Sequence, residues 1–307
     1  MGSSCSPRQH HEPESHICRN LPLHNKIVKY SLPHDKTRRM YRLVWFQHVH
    51  KAAGSTIVNQ AVANGETLFP IHENGNPCTE DGELIPIWDF DEEGVGDFVD
   101  ECETRGVSFV ATEWGAPNYS ALCDDPRVFL VTCIREPWSR LISNFNYDYY
   151  LGYADSSTLT GYFNEEHRIK MDNLLIRIFA NKLGANKDSL GHGELADALD
   201  NLLLFDLVIV TDRDGDLGMH LFEALGWEKK NVDSHSTFGN LWTLARLLRR
   251  LRLFSAIKYL LKMKLPVSEE ERALFEVHSN LDMELYHRVC EDEIRGRGHP
   301  LERGPGE

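Results

Sequence analysis

A few residues in this sequence have the types and spacing to bind an anion and move a charged group onto a nucleophile. Lys51 opens a run of small residues, Lys51-Ala52-Ala53-Gly54-Ser55-Thr56, and brings a full positive charge to a turn whose N–H groups could face a phosphate;. Arg135 and Ser143 stand eight positions apart, just over two helical turns, so both could reach one phosphate from one side of a helix;. Glu113, His48 and His50 are groups that could take a proton from an acceptor;.

The flanking segments say what would position these residues. Leu43-Val44-Trp45-Phe46 is an apolar run before the turn, and Ile57-Val58-Asn59-Gln60-Ala61-Val62 reads as helix after it. Strand, small turn and helix is a geometry that holds a phosphate, because the helix dipole and its free N–H groups favour an anion. The order is not that of the Walker loop, since the lysine precedes the small residues;. Taken alone, the segment also fits an ordinary strand-to-helix turn with a surface lysine. The second segment, Val128-Phe129-Leu130-Val131-Thr132-Cys133-Ile134, is continuously apolar and suits a strand buried on both faces of a parallel sheet;. Arg135 follows at its carboxyl end, where open α/β sheets bind ligands. Pro137 fits the first turn of the next helix, where its missing N–H costs nothing;.

These two segments resemble the cofactor-binding motifs of sulfotransferases that use 3′-phosphoadenosine 5′-phosphosulfate, nearest to the carbohydrate-modifying, heparan-sulfate-like Golgi branch. The second motif of that branch, Arg-[Asp/Glu]-Pro-x-x-Arg-x-x-Ser, is matched at every defined position from Arg135 to Ser143. The first, roughly His-x-Pro-Lys-Thr-Gly-Gly-Thr-Ser, is matched at His48, Lys51, Gly54, Ser55 and Thr56; His50, Ala52 and Ala53 depart from it. A positive φ at Ala53 would strain its Cβ. Weaker likeness, in apolar patterns that many α/β proteins share, lies in Glu113-Trp114, residues 173–183, 205–227 and 280–286. The resemblance covers about residues 41–293.

The resemblance implies an α/β, P-loop-like three-layer fold with a mostly parallel central sheet flanked by helices. It implies sulfuryl transfer to an acceptor hydroxyl or amine, on a carbohydrate or a small molecule, with no metal. Lys51, Ala52, Ala53, Gly54, Ser55 and Thr56 would hold the 5′-phosphate side, with Lys51 also neutralising the bridging oxygen. Arg135 and Ser143 would hold the 3′-phosphate. Glu113 is the first candidate for the base, with His48 and His50 behind it; a histidine found two residues upstream of the acidic position in part of the branch is Ala111 here. Trp114 could stack on a sugar ring or belong to the core. Two other readings stand beside this one: a different P-loop nucleotide-dependent transferase or kinase, and a catalytically inactive relative that binds a partner.

Composition bounds the rest. The chain has 307 residues, 41% of them hydrophobic, and a formal net charge of −14, which argues against a general nucleic-acid binder;. Seven cysteines lack any Cys-x-x-Cys spacing; Cys133 reads as core, and Cys102 could bridge to Cys123 in an oxidising compartment;. Residues 1–40 read as a flexible polar leader, 66–100 as an irregular insertion, and 294–307 as a disordered tail;. No apolar run has the length of a transmembrane helix;. That favours a cytoplasmic or peripheral-membrane protein, or a Golgi-lumenal one if an N-terminal anchor is missing. Met1-Gly2-Ser3-Ser4-Cys5-Ser6 fits a lipidation signal as well as a plain leader;. Residues 241–265 hold seven Lys or Arg and no acid, on a helical apolar stripe that could face a membrane or the core;. Ser268-x-x-Glu271 predicts a capping box;.

Overall fold

A computed structural model of the chain describes residues 41–165, 172–186, 189–213, 217–232 and 241–291, all within a compact unit of residues 35–307. The leader at 1–40 and the tail at 294–307 lie outside the described residues.

Four parallel strands form the sheet: β1 (Leu43–His48), β4 (Phe109–Thr112), β5 (Val128–Ile134) and β6 (Leu207–Val210), in the order β4-β1-β5-β6. All six residues of β1 are buried, as a central strand covered on both faces requires;. The chain leaves β1 for one neighbour, β4, and returns to the other, β5, so the direction of winding reverses beside β1. Such a switch point opens a crevice at the strands' carboxyl ends. It lies where β1 ends at His48, in register with Cys133 of β5. The turn at 49–53 and Arg135 both start there.

Helices flank this sheet in an α/β fold, as expected. Helix α1 (Gly54–Ala63) follows β1, and α4 (Pro137–Leu151) follows β5. Pro137 takes the first turn of α4, and the Glu136 carboxylate caps it by accepting from the N–H of Trp138 and Ser139. The region 66–100 is more ordered than its turn-rich sequence predicts. It holds a short hairpin of β2 (His72–Glu73) and β3 (Asn76–Pro77), a single 3-10 turn at Ile87–Asp89 and the start of α2 (Glu92–Arg105). Asp91 caps α2 at one end and Gly106, at φ 69°, closes the other.

A second core, separate from the sheet, forms on the far part of α4. Phe145, Tyr149 and Tyr150 pack there with Tyr162 of α5 (Leu159–Asn164), Leu247 of α9 (Leu241–Arg249), Tyr259 of α10 (Leu253–Leu260) and Phe275 of α11 (Glu269–His278). The predicted capping box starts α11: Ser268 accepts from the Glu271 N–H and Glu271 from the Ser268 N–H. The single basic stripe read over 241–265 divides into α9 and α10, because Leu251 turns the chain at φ 58°. Helix α6 (Leu174–Phe179) and α12 (Asn280–Glu291) cap one another. The Asp282 carboxylate accepts the N–H groups of Leu175 and Ile176, and Asn173 Oδ1 accepts those of Leu281 and Asp282. Helix α3 (Tyr119–Asp124), between β4 and β5, and the late elements α7 (His192–Leu202) and α8 (Leu217–Leu225) complete the described fold.

No disulfide joins Cys102 and Cys123, and Cys133 is buried as expected. Among the described residues no helix is long and apolar enough to cross a membrane, and no cluster of His, Cys, Asp and Glu is arranged to hold a metal.

Candidate active site

The turn after β1 has the strained backbone its sequence foreshadows. Lys51 and Ala53 both sit at positive φ, 64° and 68°, on either side of Ala52. An alanine there carries a Cβ penalty of about 1 kcal/mol that a glycine would avoid. Ala53 is the N-cap of α1 and offers no side-chain cap, and no acidic residue lies in the first turn. Among the described residues the N–H groups of Gly54 and Ser55 therefore keep no hydrogen-bond acceptor, whereas those of Thr56 and Ile57 reach the Ala53 carbonyl. An uncapped helix start with free N–H groups is an anion site by construction. Cys133 fixes the turn from below: its thiol donates to the Ala52 carbonyl at 2.5 Å. The sequence identified Cys133 only as core.

Two cations, Lys51 and Arg135, stand at the turn. The Lys51 ammonium lies 4.0 Å from the centroid of the Tyr147 ring, a cation–π contact;. Burial pushes its pKa down to about 8; the Asp148 and Glu113 carboxylates oppose this and the Arg135 cation adds to it. Arg135 stands at the end of β5 with Nη1 3.5 Å from the Lys51 carbonyl and Nε 3.5 Å from Asp212 Oδ1, both at the outer limit of useful contact. Ser143 is half-buried on α4 and makes no hydrogen bond to Arg135 or to the turn among the described residues. Arg140, between them in sequence, is fully buried, and its Nε and Nη1 find no partner among the described residues. Burial, opposed chiefly by Asp282, pulls its pKa below the ordinary guanidinium value.

Glu113 meets both histidines. Its Oε1 lies 2.8 Å from His50 Nδ1, a hydrogen bond, and its Oε2 lies 3.2 Å from His48 Nδ1 at an angle that makes none. The loop carrying Glu113 is held from two sides. Gln47 donates through Nε2 to the carbonyls of Thr112 and Gly115, and the Glu113 N–H donates to Asn76 Oδ1. Gln47 and Asn76 are buried polar residues that sequence reasoning missed; Asn76 stands on β3 of the hairpin. Burial alone would raise the Glu113 pKa, but the two imidazoles beside it, His48 at 3.2 Å and His50 through its hydrogen bond, hold it well below the usual carboxylate range. Burial also depresses the His50 pKa, against the pull of Glu113. His50 is thus neutral, with its proton on Nδ1 toward the carboxylate, and its buried Nε2 has no partner among the described residues.

Tyr147 is the other residue the sequence did not single out. Its ring meets His50 edge-on at 5.9 Å between centroids while covering Lys51. It stands four positions after Ser143 on α4, a spacing that places both on one face and could have flagged it. Trp114 is exposed, which excludes the core alternative for its ring. His48 packs its ring over Gly54, where a Cβ would fall 1.8 Å from Nε2.

Lys51, Arg135, His50 and Glu113 are therefore brought to one switch point, and Ser143 lies on the helix beside it. No protein-family model matches this chain, and no curated protein matches it.

Proposed function

We propose that the chain is a transferase that moves a sulfuryl group from 3′-phosphoadenosine 5′-phosphosulfate to an acceptor hydroxyl or amine on a carbohydrate or small molecule. One observation carries this reading. An uncapped, lysine-bearing helix start, an arginine at a strand end and a histidine poised by a carboxylate meet at the sheet's switch point.

In this reading the N–H groups of Gly54 and Ser55 take the 5′-phosphate, and Lys51 neutralises the bridging oxygen as the sulfur–oxygen bond breaks. Arg135 turns from Asp212 toward the 3′-phosphate, with Ser143 beside it. The acceptor oxygen attacks sulfur, and its proton passes to His50 Nε2. Glu113 stays ionised and stabilises the imidazolium, as the carboxylate of a Ser-His-Asp triad does. A carboxylate held so far below its usual pKa is a weak base, so the base role passes from Glu113 to His50.

Calorimetry with adenosine 3′,5′-bisphosphate tests the pocket. The expected result is micromolar binding that adenosine 5′-phosphate does not match and that Arg135→Ala abolishes. No binding by the native chain overturns the reading. The contacts of Arg135 with Asp212 and of Lys51 with Tyr147 favour a second reading, a relative that binds without transfer. Tight bisphosphate binding with no transfer to any acceptor would select it.

A further inference from the structure

We infer that α9 and α10 form a docking surface for an anionic lipid membrane, an inference independent of the reaction assigned above. The segment 241–268 carries seven cations and no carboxylate in a chain of net charge −14. Its inner face is core: Leu247, Ala256 and Tyr259 are buried. Its outer face is also apolar. Leu253, Phe254, Ile257, Leu260 and Leu261 fall at the spacing of one helical face, and all are exposed, Phe254 to 85%;. Leu251, in the turn before α10, is 83% exposed. An ordinary surface helix has one apolar face, and this one has two.

The seven cations divide into three that anchor the segment and four that meet no carboxylate. Arg246, Arg250 and Arg252 donate to the carbonyls of Leu151, Gly152 and Tyr149 and so tie the helices to the end of α4. Arg249, Lys258, Lys262 and Lys264 pair with no carboxylate among the described residues. Two residues of the surface hold backbone conformations that L side chains avoid: Leu251 at φ 58° and Lys262 at φ 53°. Glycine would relieve the backbone strain at both positions.

The pattern of charge chooses the occupant. A second copy of the chain on a two-fold axis would set cations against cations. A nucleic acid would use the cations and leave the apolar face in water. A membrane with anionic headgroups takes both, burying the apolar residues at the acyl boundary and the Lys and Arg among the phosphates.

Co-sedimentation of the full chain with vesicles tests this. Phosphatidylcholine vesicles containing phosphatidylserine should retain the protein at low salt and lose it at high salt, while phosphatidylcholine alone retains little. Lys258→Gln and Lys262→Gly should each weaken binding about fivefold. Phe254→Ser should weaken it roughly tenfold or more. Leu251→Gly should weaken binding while raising or preserving the melting temperature, which separates loss of docking from loss of fold. Failure to sediment with the anionic vesicles overturns the proposal. So does self-association in vesicle-free buffer that Phe254→Ser and Leu251→Gly abolish, which would assign the face to protein contact.

Discussion

His50 Nδ1 lies 2.8 Å from Glu113 Oε1, and the two residues are 63 positions apart in the chain. The bond fixes the ring's tautomer and leaves Nε2 as the ring's basic nitrogen, buried and without a partner among the described residues. Nitrogen NMR of the resting protein should show His50 protonated at Nδ1 and bare at Nε2 near neutral pH, and Glu113→Gln should reverse this, because an amide can donate to Nδ1. With an acceptor in hand, His50→Ala should lower kcat by about 10²–10⁴. Glu113→Gln should approach that loss through the wrong tautomer.

The depressed pKa of His50 has a sign that can be checked. Burial lowers it from the ordinary 6.5, so below that pH the unfolded chain binds a proton that the folded one refuses. Stability should therefore fall as the solution is acidified through 6.5 toward the lower folded value, and His50→Gln should flatten that part of the curve;. The acidic limb of kcat/KM should likewise lie below 6.5.

Burial lowers the Lys51 pKa to about 8. A bound anion favours the charged amine, so bisphosphate binding should take up a proton on the alkaline side. Affinity should hold steady below the pKa and fall about tenfold per pH unit above it. Calorimetry across that range gives the slope, and Lys51→Met should remove it along with much of the affinity.

Gly54 is needed for space. A methyl group there would overlap the His48 ring at 1.8 Å, and the ring would have to leave its place beside Glu113. Gly54→Ala should destabilise the protein by about 1–3 kcal/mol in chemical denaturation and weaken bisphosphate binding in the same preparation.

Asp282 is buried, and burial lifts its pKa to about 6, even though two backbone N–H groups and the Arg140 cation pull it down. Asp282→Ala would strand both N–H groups and leave Arg140 with less compensating charge. The expected loss is about 3 kcal/mol, read from urea unfolding. In the native chain the raised pKa binds extra protons between 3.8 and about 6, so this residue's contribution should decline as pH rises through that window;.

The elements legible in the sequence are those whose causes are local. The apolar run before Arg135 is a strand, Pro137 opens a helix, and Ser268 with Glu271 starts another. Lys51 and Arg135 were placed at one sheet end because each follows a recognisable strand. The pairing of His50 with Glu113 was not legible, since it depends on which strand lies beside β1, and Asn76 reaches Glu113 only through a hairpin in a turn-rich stretch. The break between α9 and α10 was hidden for a different reason. It falls at a leucine, where no glycine or proline marks the change of direction.

The reciprocal capping of α6 and α12 bears on the order in which the chain can be completed. The first amides of α6 find their acceptors on Asp282, more than a hundred residues downstream, and Asn173 returns the favour to α12. During synthesis all four sheet strands emerge well before residue 280, yet α6 stays uncapped until the last described helix has left the ribosome. A nascent chain halted before residue 280 should therefore expose residues 173–179 to proteases, and release of the final helix should close that segment in one cooperative step.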